Sequence, residues 1–193
     1  MRKLIAAMKV SLDMKFQGPD DYADWVDAWS EDYGLTAEID ACVLGGRMYR
    51  GYQQYWSAMM ANPDQPLPMT GTMASAGELE WARAIPSLPH YVVSNTLIET
   101  GWPNAQVIGS IGDVAGLKQQ AGKHIYLMGG GALLRLLLEA GLVDELRLIV
   151  HPLIAGGPNS LFADGELRRS AELIKLEELS GGRVRADYRF TGL

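Results

Sequence analysis

Lys123-His124-Ile125-Tyr126-Leu127-Met128 runs into Gly129-Gly130-Gly131 and then into Ala132-Leu133-Leu134-Arg135-Leu136-Leu137-Leu138-Glu139-Ala140. A short apolar run, three glycines and a strongly apolar segment read as a buried strand, a tight turn and a helix over 132–140. Such a junction leaves the first helical N–H groups unpaired beside a partial positive charge, which suits a phosphate. Glycine lets the backbone approach an anion and take dihedrals closed to other residues. The pattern is neither GxGxxG, since Leu133 and Leu134 occupy the later positions, nor a P-loop, since no GK[ST] follows. Taken alone it fits a phosphate cradle or a packing turn equally well.

Working outward, the same alternation recurs. Leu4–Val10, Ala41–Leu44, Tyr91–Val93, Ala105–Ile108 and Glu145–Val150 read as strands. Helices are expected over Tyr22–Tyr33, from Gly45 to about Met60, over Glu78–Ile85, and from Asp113 as a cap to about Gln120. Trp25 and Trp29 would share one face of the first helix. Asn62–Gly77, with three prolines, reads as a surface loop. Leu173–Leu179 and Arg183–Thr191, joined by Ser180-Gly181-Gly182, read as a terminal hairpin. Alternating strands and helices imply an α/β fold with a mostly parallel central sheet covered on both faces. The 193 residues are expected to form a single domain, 1–193.

Ligands of such sheets lie beyond the carboxyl ends of the strands. Three junctions therefore belong together: Gly45-Gly46-Arg47-Met48 after Leu44, Ser94-Asn95-Thr96 after Val93, and Gly129-Gly130-Gly131 with Ala132 and Leu133 after Met128. Arg47 would stand in the first turn of its helix, where an anion would offset the unfavourable dipole. Together these ends make a coherent dinucleotide surface.

The net charge of −6 argues against nucleic acid as a partner, and no segment approaches the ~18 apolar residues of a membrane span. Lys9 and Asp13 interrupt the apolar N-terminal stretch, so no signal peptide is read and a cytoplasmic protein is expected. Cys42, in an apolar run, reads as a buried inert thiol, and no metal ligands are assigned. His151, before Pro152, reads as a core or interface residue.

Several blocks resemble the reductase domain of bacterial riboflavin biosynthesis and its relatives on the dihydrofolate reductase fold. They are Ser11-Leu12-Asp13, Asp40 through Tyr49, Leu88 through Leu97, Met128–Gly131, and Gly141-Leu142-Val143-Asp144-Glu145-Leu146 on to Pro152, Gly156, Gly157 and Phe162. The resemblance implies a dihydrofolate-reductase-like three-layer sandwich of about eight strands, with a C-terminal antiparallel hairpin. It implies an NAD(P)H-dependent reductase transferring a hydride to a small heterocyclic (pteridine- or pyrimidine-like) substrate, and a homodimer. It places Gly129, Gly130, Gly131, Ala132 and Leu133 at the NADPH pyrophosphate. Gly45, Gly46, Arg47 and Met48 fall near the phosphates, and Ser94, Asn95 and Thr96 near the adenosine ribose.

Four positions depart from the family pattern. Gly46 and Asn95 stand where the family places arginine, Met48 where it places threonine, and Met14 where it places the glycine after Asp13. Two cations for the 2′-phosphate are thereby missing, so NADH is an expected alternative to NADPH. Arginine restored at 46 and 95 is expected to favour NADPH. Asp13 is the first candidate for a polar substrate contact, with loop ordering as its competing role, and Asp24 and Asp27 are not assigned. Asp144-Glu145 reads as structural. The competing functional class is a non-catalytic nucleotide-binding or ligand-sensing module on the same fold.

Overall fold

The computed structural model describes residues 1–19, 23–26, 31–67, 71–162 and 168–191. Eight strands form one sheet: β1 (Leu4–Val10), β2 (Ile39–Gly45), β3 (His90–Val93), β4 (Ala105–Ile108), β5 (His124–Met128), β6 (Glu145–Val150), β7 (Ala171–Leu179) and β8 (Arg183–Phe190). Their order is β4-β3-β2-β5-β1-β6-β8-β7. The pairings from β4 to β6 are parallel, whereas β8 is antiparallel to both β6 and β7. The expected mostly parallel sheet with a C-terminal hairpin is therefore the observed one.

Alternation along each strand sends successive side chains to opposite faces. Leu4, Ala6, Met8 and Val10 of β1 join Val43, Leu127 and Leu148 in one core layer. Helices α3 (Ile111–Gln119) and α4 (Gly131–Glu139) cover that layer. Ile5 and Ala7 join Cys42, Leu44, Tyr126 and Ile149 in the other layer, under α1 (Gly46–Ala61) and α2 (Ala76–Ala84). Cys42 is fully buried, and burial pushes its thiol well above the usual range.

Ser75 and Glu78 form a reciprocal capping box at the start of α2. A similar box starts α3, with Ser110 as the cap and Asp113 three residues inside, so Asp113 is not the capping residue itself. The helix expected over Tyr22–Tyr33 is corrected only for the described part of that stretch. Asp24–Val26 form a turn and bend, and Glu31–Tyr33 a single 3-10 turn. Asp20, Asp21, Tyr22, Asp27 and Trp29 lie outside the described residues.

Arginines of the sheet hold the end of this stretch. Arg147 Nη1 donates to the carbonyls of Tyr33 (3.0 Å) and Gly34 (3.1 Å), and Arg185 Nη1 to that of Asp32 (3.0 Å). Arg185 also pairs with Asp187 through both carboxylate oxygens, at 2.8 and 2.7 Å. These buried charges are matched by hydrogen bonds, the condition under which burial is tolerated.

Candidate functional site

The carboxyl ends of β1 to β6 share one edge of the sheet, and all three glycine- or serine-rich junctions open there. After β5, Gly129 has φ +36° and Gly130 φ +89°, conformations that L side chains rarely adopt. Among the described residues, nothing lies within 4 Å of the place a Cβ on Gly130 would occupy, so they leave this backbone open to a ligand. Gly131 is different, because a Cβ there would stand 3.3 Å from Phe16 Cε1 and 3.4 Å from the Leu161 carbonyl oxygen. The turn thus combines an open backbone at Gly130 with a packing contact at Gly131. Ala132 is exposed, while Leu133 is only 7% exposed and sends its side chain into the core. What Gly131, Ala132 and Leu133 present at the edge is therefore the N–H groups of the first helical turn.

After β2, Gly45 is extended (φ −84°) and Gly46 begins α1. A Cβ on Gly46 would lie 2.7 Å from Ser94 Oγ and 2.8 Å from Ser94 Cβ. The expectation that arginine at 46 restores a phosphate contact is corrected: the β2 and β3 junctions touch, and no side chain fits between them. Met48 leans the other way, its Sδ 3.2 Å from the Cβ position of Gly129. Arg47 is exposed in the first turn of α1, where no acidic residue accompanies it. Ser94 Oγ accepts from the Thr96 (3.2 Å) and Leu97 (3.0 Å) amides, which shapes the turn carrying the exposed Asn95 and Thr96. The structure thus brings Gly46 to Ser94 and Met48 to Gly129.

Asp13 stands apart. Ser11 Oγ donates to its Oδ1 (2.5 Å), the Ala155 amide to Oδ1 (3.0 Å) and the Gly156 amide to Oδ2 (2.9 Å). The Ser11 hydroxyl, followed by these amides, outweighs desolvation and lowers its pKa to about 2. A carboxylate so held ties the loop after β1 to the loop after β6, and it carries no proton to give near neutral pH. Met14, where the resemblance expects glycine, takes φ +57°, a backbone region that glycine occupies without penalty.

Asp144 and Glu145 act structurally. Asp144 Oδ2 accepts from the Leu4 amide (2.7 Å) and pairs with Lys118 (2.6 Å). Glu145 pairs with Lys3 (2.6 Å) and Arg147 (3.5 Å). Burial raises the Glu145 pKa, but these cations outweigh it and the net direction is downward.

Two contacts that the sequence reading did not anticipate lie near the ends of β1 and β6. Lys9 Nζ lies 6.0 Å from the centroid of the Tyr33 ring. The ring of His151, itself only 8% exposed, meets Trp25 edge-on at 5.1 Å. The available signal was Lys9 itself, a charge breaking an otherwise apolar strand at its ligand-facing end.

The family described as the RibD C-terminal domain matches residues 112–184. An uncharacterised protein of Bacillus subtilis (strain 168), YyaP, is 30% identical over 195 residues, covering 99% of this chain and 96% of its own length. A protein named for riboflavin biosynthesis from Shewanella sp. PV-4 superposes with a TM-score of 0.71 at 20% identity, over 98% of this chain and 99% of its own. A pyrimidine reductase-like protein from Corynebacterium diphtheriae gives 0.68 at 15% identity, over 100% and 93%. Dihydrofolate reductase from Enterococcus faecalis, complexed with NADP(H), gives 0.61 at 13% identity, over 98% and 97%. The ordered junctions, the sheet with its antiparallel hairpin and the full-length relative converge: the chain belongs to the RibD C-terminal domain family, on the dihydrofolate-reductase-like fold.

Proposed function

We propose that this protein is an NAD(P)H-dependent reductase that transfers a hydride to a small heterocyclic (pteridine- or pyrimidine-like) substrate. The open backbone at Gly130, at a helix N-terminus and level with the contacting β2 and β3 junctions, is the observation that carries this reading. A Cβ-free turn and the first N–H groups of α4 fit a pyrophosphate. Gly129, Gly130, Gly131, Ala132 and Leu133 would hold it, with Gly45, Gly46, Arg47 and Met48 beside the phosphates and Ser94, Asn95 and Thr96 at the adenosine ribose. The bound dinucleotide would supply the hydride. The protein's share is to orient the two reactants and keep water from the reacting face. Asp13, with its depressed pKa, fixes the loops around the site rather than supplying the proton.

NADPH is the expected cofactor, with NADH favoured if the contact between Gly46 and Ser94 leaves the 2′-phosphate without a cation. The same contact favours a second reading, a module that binds a nucleotide without turnover. Titration of NADPH and NADH, followed by tryptophan fluorescence, separates these readings when paired with loss of reduced-nicotinamide absorbance across pteridines and pyrimidines. Binding with turnover supports the reductase, and binding without turnover across the panel supports the module. No binding of either dinucleotide at millimolar concentration overturns both.

A homodimer is part of the proposal. The outer strand β7 carries Leu173 at 49% and Leu176 at 65% exposure, apolar surface of the kind an interface covers. A monomer in sedimentation at micromolar concentration overturns it. No helix among the described residues is long and apolar enough to cross a membrane.

A further inference from the structure

The sheet has a second rim. Opposite the ligand edge, where β1 and β6 begin and β8 ends, lies a cavity of about 360 Å³. Lys3, Asp144, Glu145, Arg169, Arg189 and Phe190 help to line it. Its volume falls in the range that small ligands occupy. The seven residues of β1 separate it from the glycine junctions by about 20 Å.

The charges that line this cavity are unevenly matched. Asp144 is paired with Lys118, and Glu145 with Lys3 and Arg147, so both carboxylates already hold cations. Arg189 stands across the strand pair from Glu145 and reaches Glu172 only at 3.6 Å, both side chains being about half exposed. Arg169 has no carboxylate partner among the described residues. Its Nη1 donates to the Leu138 carbonyl (3.0 Å) at the end of α4, and its guanidinium lies 5.9 Å from the centroid of the Phe190 ring.

Capping α4 accounts for Nη1 and leaves the edge formed by Nε and Nη2, whose buried Nε takes no partner. In Arg185 this same edge holds both carboxylate oxygens of Asp187. It is the geometry of bidentate pairing with a carboxylate or phosphate. A buried guanidinium N–H without an acceptor is destabilising, and a bound anion removes that penalty.

We propose that this cavity is a second binding site, for a small organic anion whose phosphate or carboxylate pairs with the Nε–Nη2 edge of Arg169. Arg189 supplies the second cation, and Phe190 supplies apolar surface for the body of the molecule. In a chain of net charge −6 an anion needs such local cations. The site is separate from the dinucleotide junctions and does not depend on the reductase reading.

Calorimetry with inorganic phosphate, phenyl phosphate and benzoate tests this in wild type, Arg169→Gln, Arg189→Gln and Gly130→Ala. The two aromatic acids distinguish a phosphate headgroup from a carboxylate, and inorganic phosphate reports the charge alone. At least one aromatic acid should bind wild type with millimolar affinity or better, and more tightly than inorganic phosphate. Arg169→Gln should weaken that binding about tenfold or more, through lost charge-assisted hydrogen bonds, and Arg189→Gln about threefold. Gly130→Ala should leave it unchanged, and both arginine variants should keep wild-type NADPH affinity.

No binding of either aromatic acid at tens of millimolar overturns the proposal, and so does binding that survives both arginine substitutions. Equal affinity for all three probes also overturns it, since the cavity then selects nothing beyond charge. Binding lost in Gly130→Ala and kept in Arg169→Gln places the anion at the glycine turn instead. If Arg169→Gln fails to fold, Arg169→Lys decides with Arg189→Gln: lysine keeps the charge and loses the fork, so undiminished affinity in both refutes the site. Wild type that binds neither dinucleotide defeats the reductase reading alone.

Discussion

The junctions after β2 and β5 each put glycines between a buried strand and a helix, yet the two helices rest on different cores. Helix α4 turns Leu133, Leu134, Leu137 and Leu138 into a layer whose fully buried members are aliphatic side chains and Met8. Helix α1 lies over a polar aromatic cluster in which Tyr52 meets His90 Nε2 (3.2 Å) and accepts from Trp81 Nε1 (3.0 Å). His90 Nδ1 lies 2.6 Å from the Leu88 carbonyl, so it carries the ring proton and Nε2 accepts from Tyr52. The glycines differ too. Gly130 is required by its dihedral in open space, and Gly46 by the Ser94 side chain at an ordinary dihedral. One junction is held by oil and torsion; the other is held by a hydrogen-bonded network and a steric contact.

Four measurements can break this contrast. The largest expected effect is Leu137→Ala under α4. Leu137 is fully buried, and its truncation should cost about 3 kcal/mol, with little dependence on pH between 7 and 5, in urea titrations.

Under α1 the dependence on pH should be steep. Burial lowers the His90 pKa from 6.5 to about 4, opposed by its contact with Leu88. The unfolded chain then binds the proton first, so this stability is complete above pH 6.5 and fades as pH falls towards 4. The loss should approach about 3 kcal/mol. His90→Gln should be less stable at pH 7 and lack this share of the slope. An unchanged slope would show that the network does not hold a neutral histidine.

Third, Gly46→Ala should cost about 2 kcal/mol from overpacking, and Ser94→Gly should relieve most of it. Smallest in stability is Gly130→Ala, at about 1 kcal/mol of backbone strain that Ser94→Gly leaves untouched. It should nevertheless weaken dinucleotide binding, and unchanged NADPH and NADH affinity would argue against the cradle. If the two glycine variants respond alike to Ser94→Gly, the distinction between space and torsion is wrong.

Much of the architecture was legible in residue order. β1, β4 and β6 fall where short, mostly apolar segments lie, because a strand of a covered sheet is marked by its apolar content. The hairpin followed from Ser180-Gly181-Gly182 between two apolar-polar segments. The turn at Asp24–Val26 was not legible because the Trp25/Trp29 spacing is helical, and the anchoring of Asp32, Tyr33 and Gly34 was not because it comes from arginines more than a hundred residues away. Lys9 was visible as a break in an apolar strand, but the Tyr33 ring beside it was not, since the two lie on separate elements.

The sequence by itself determined the alternation of strands and helices, the glycine junctions at strand ends and the family, because period, turn chemistry and ordered blocks are local properties of the chain. Tertiary structure alone decided that Gly46 is closed by Ser94, that Gly130 is open among the described residues, that Asp13 is spent on Ala155 and Gly156, and that Lys9 lies beside the Tyr33 ring. Those outcomes depend on which strands become neighbours. The order β3-β2-β5-β1-β6 is fixed by burying both faces of one sheet at once, and no single stretch of sequence carries that constraint.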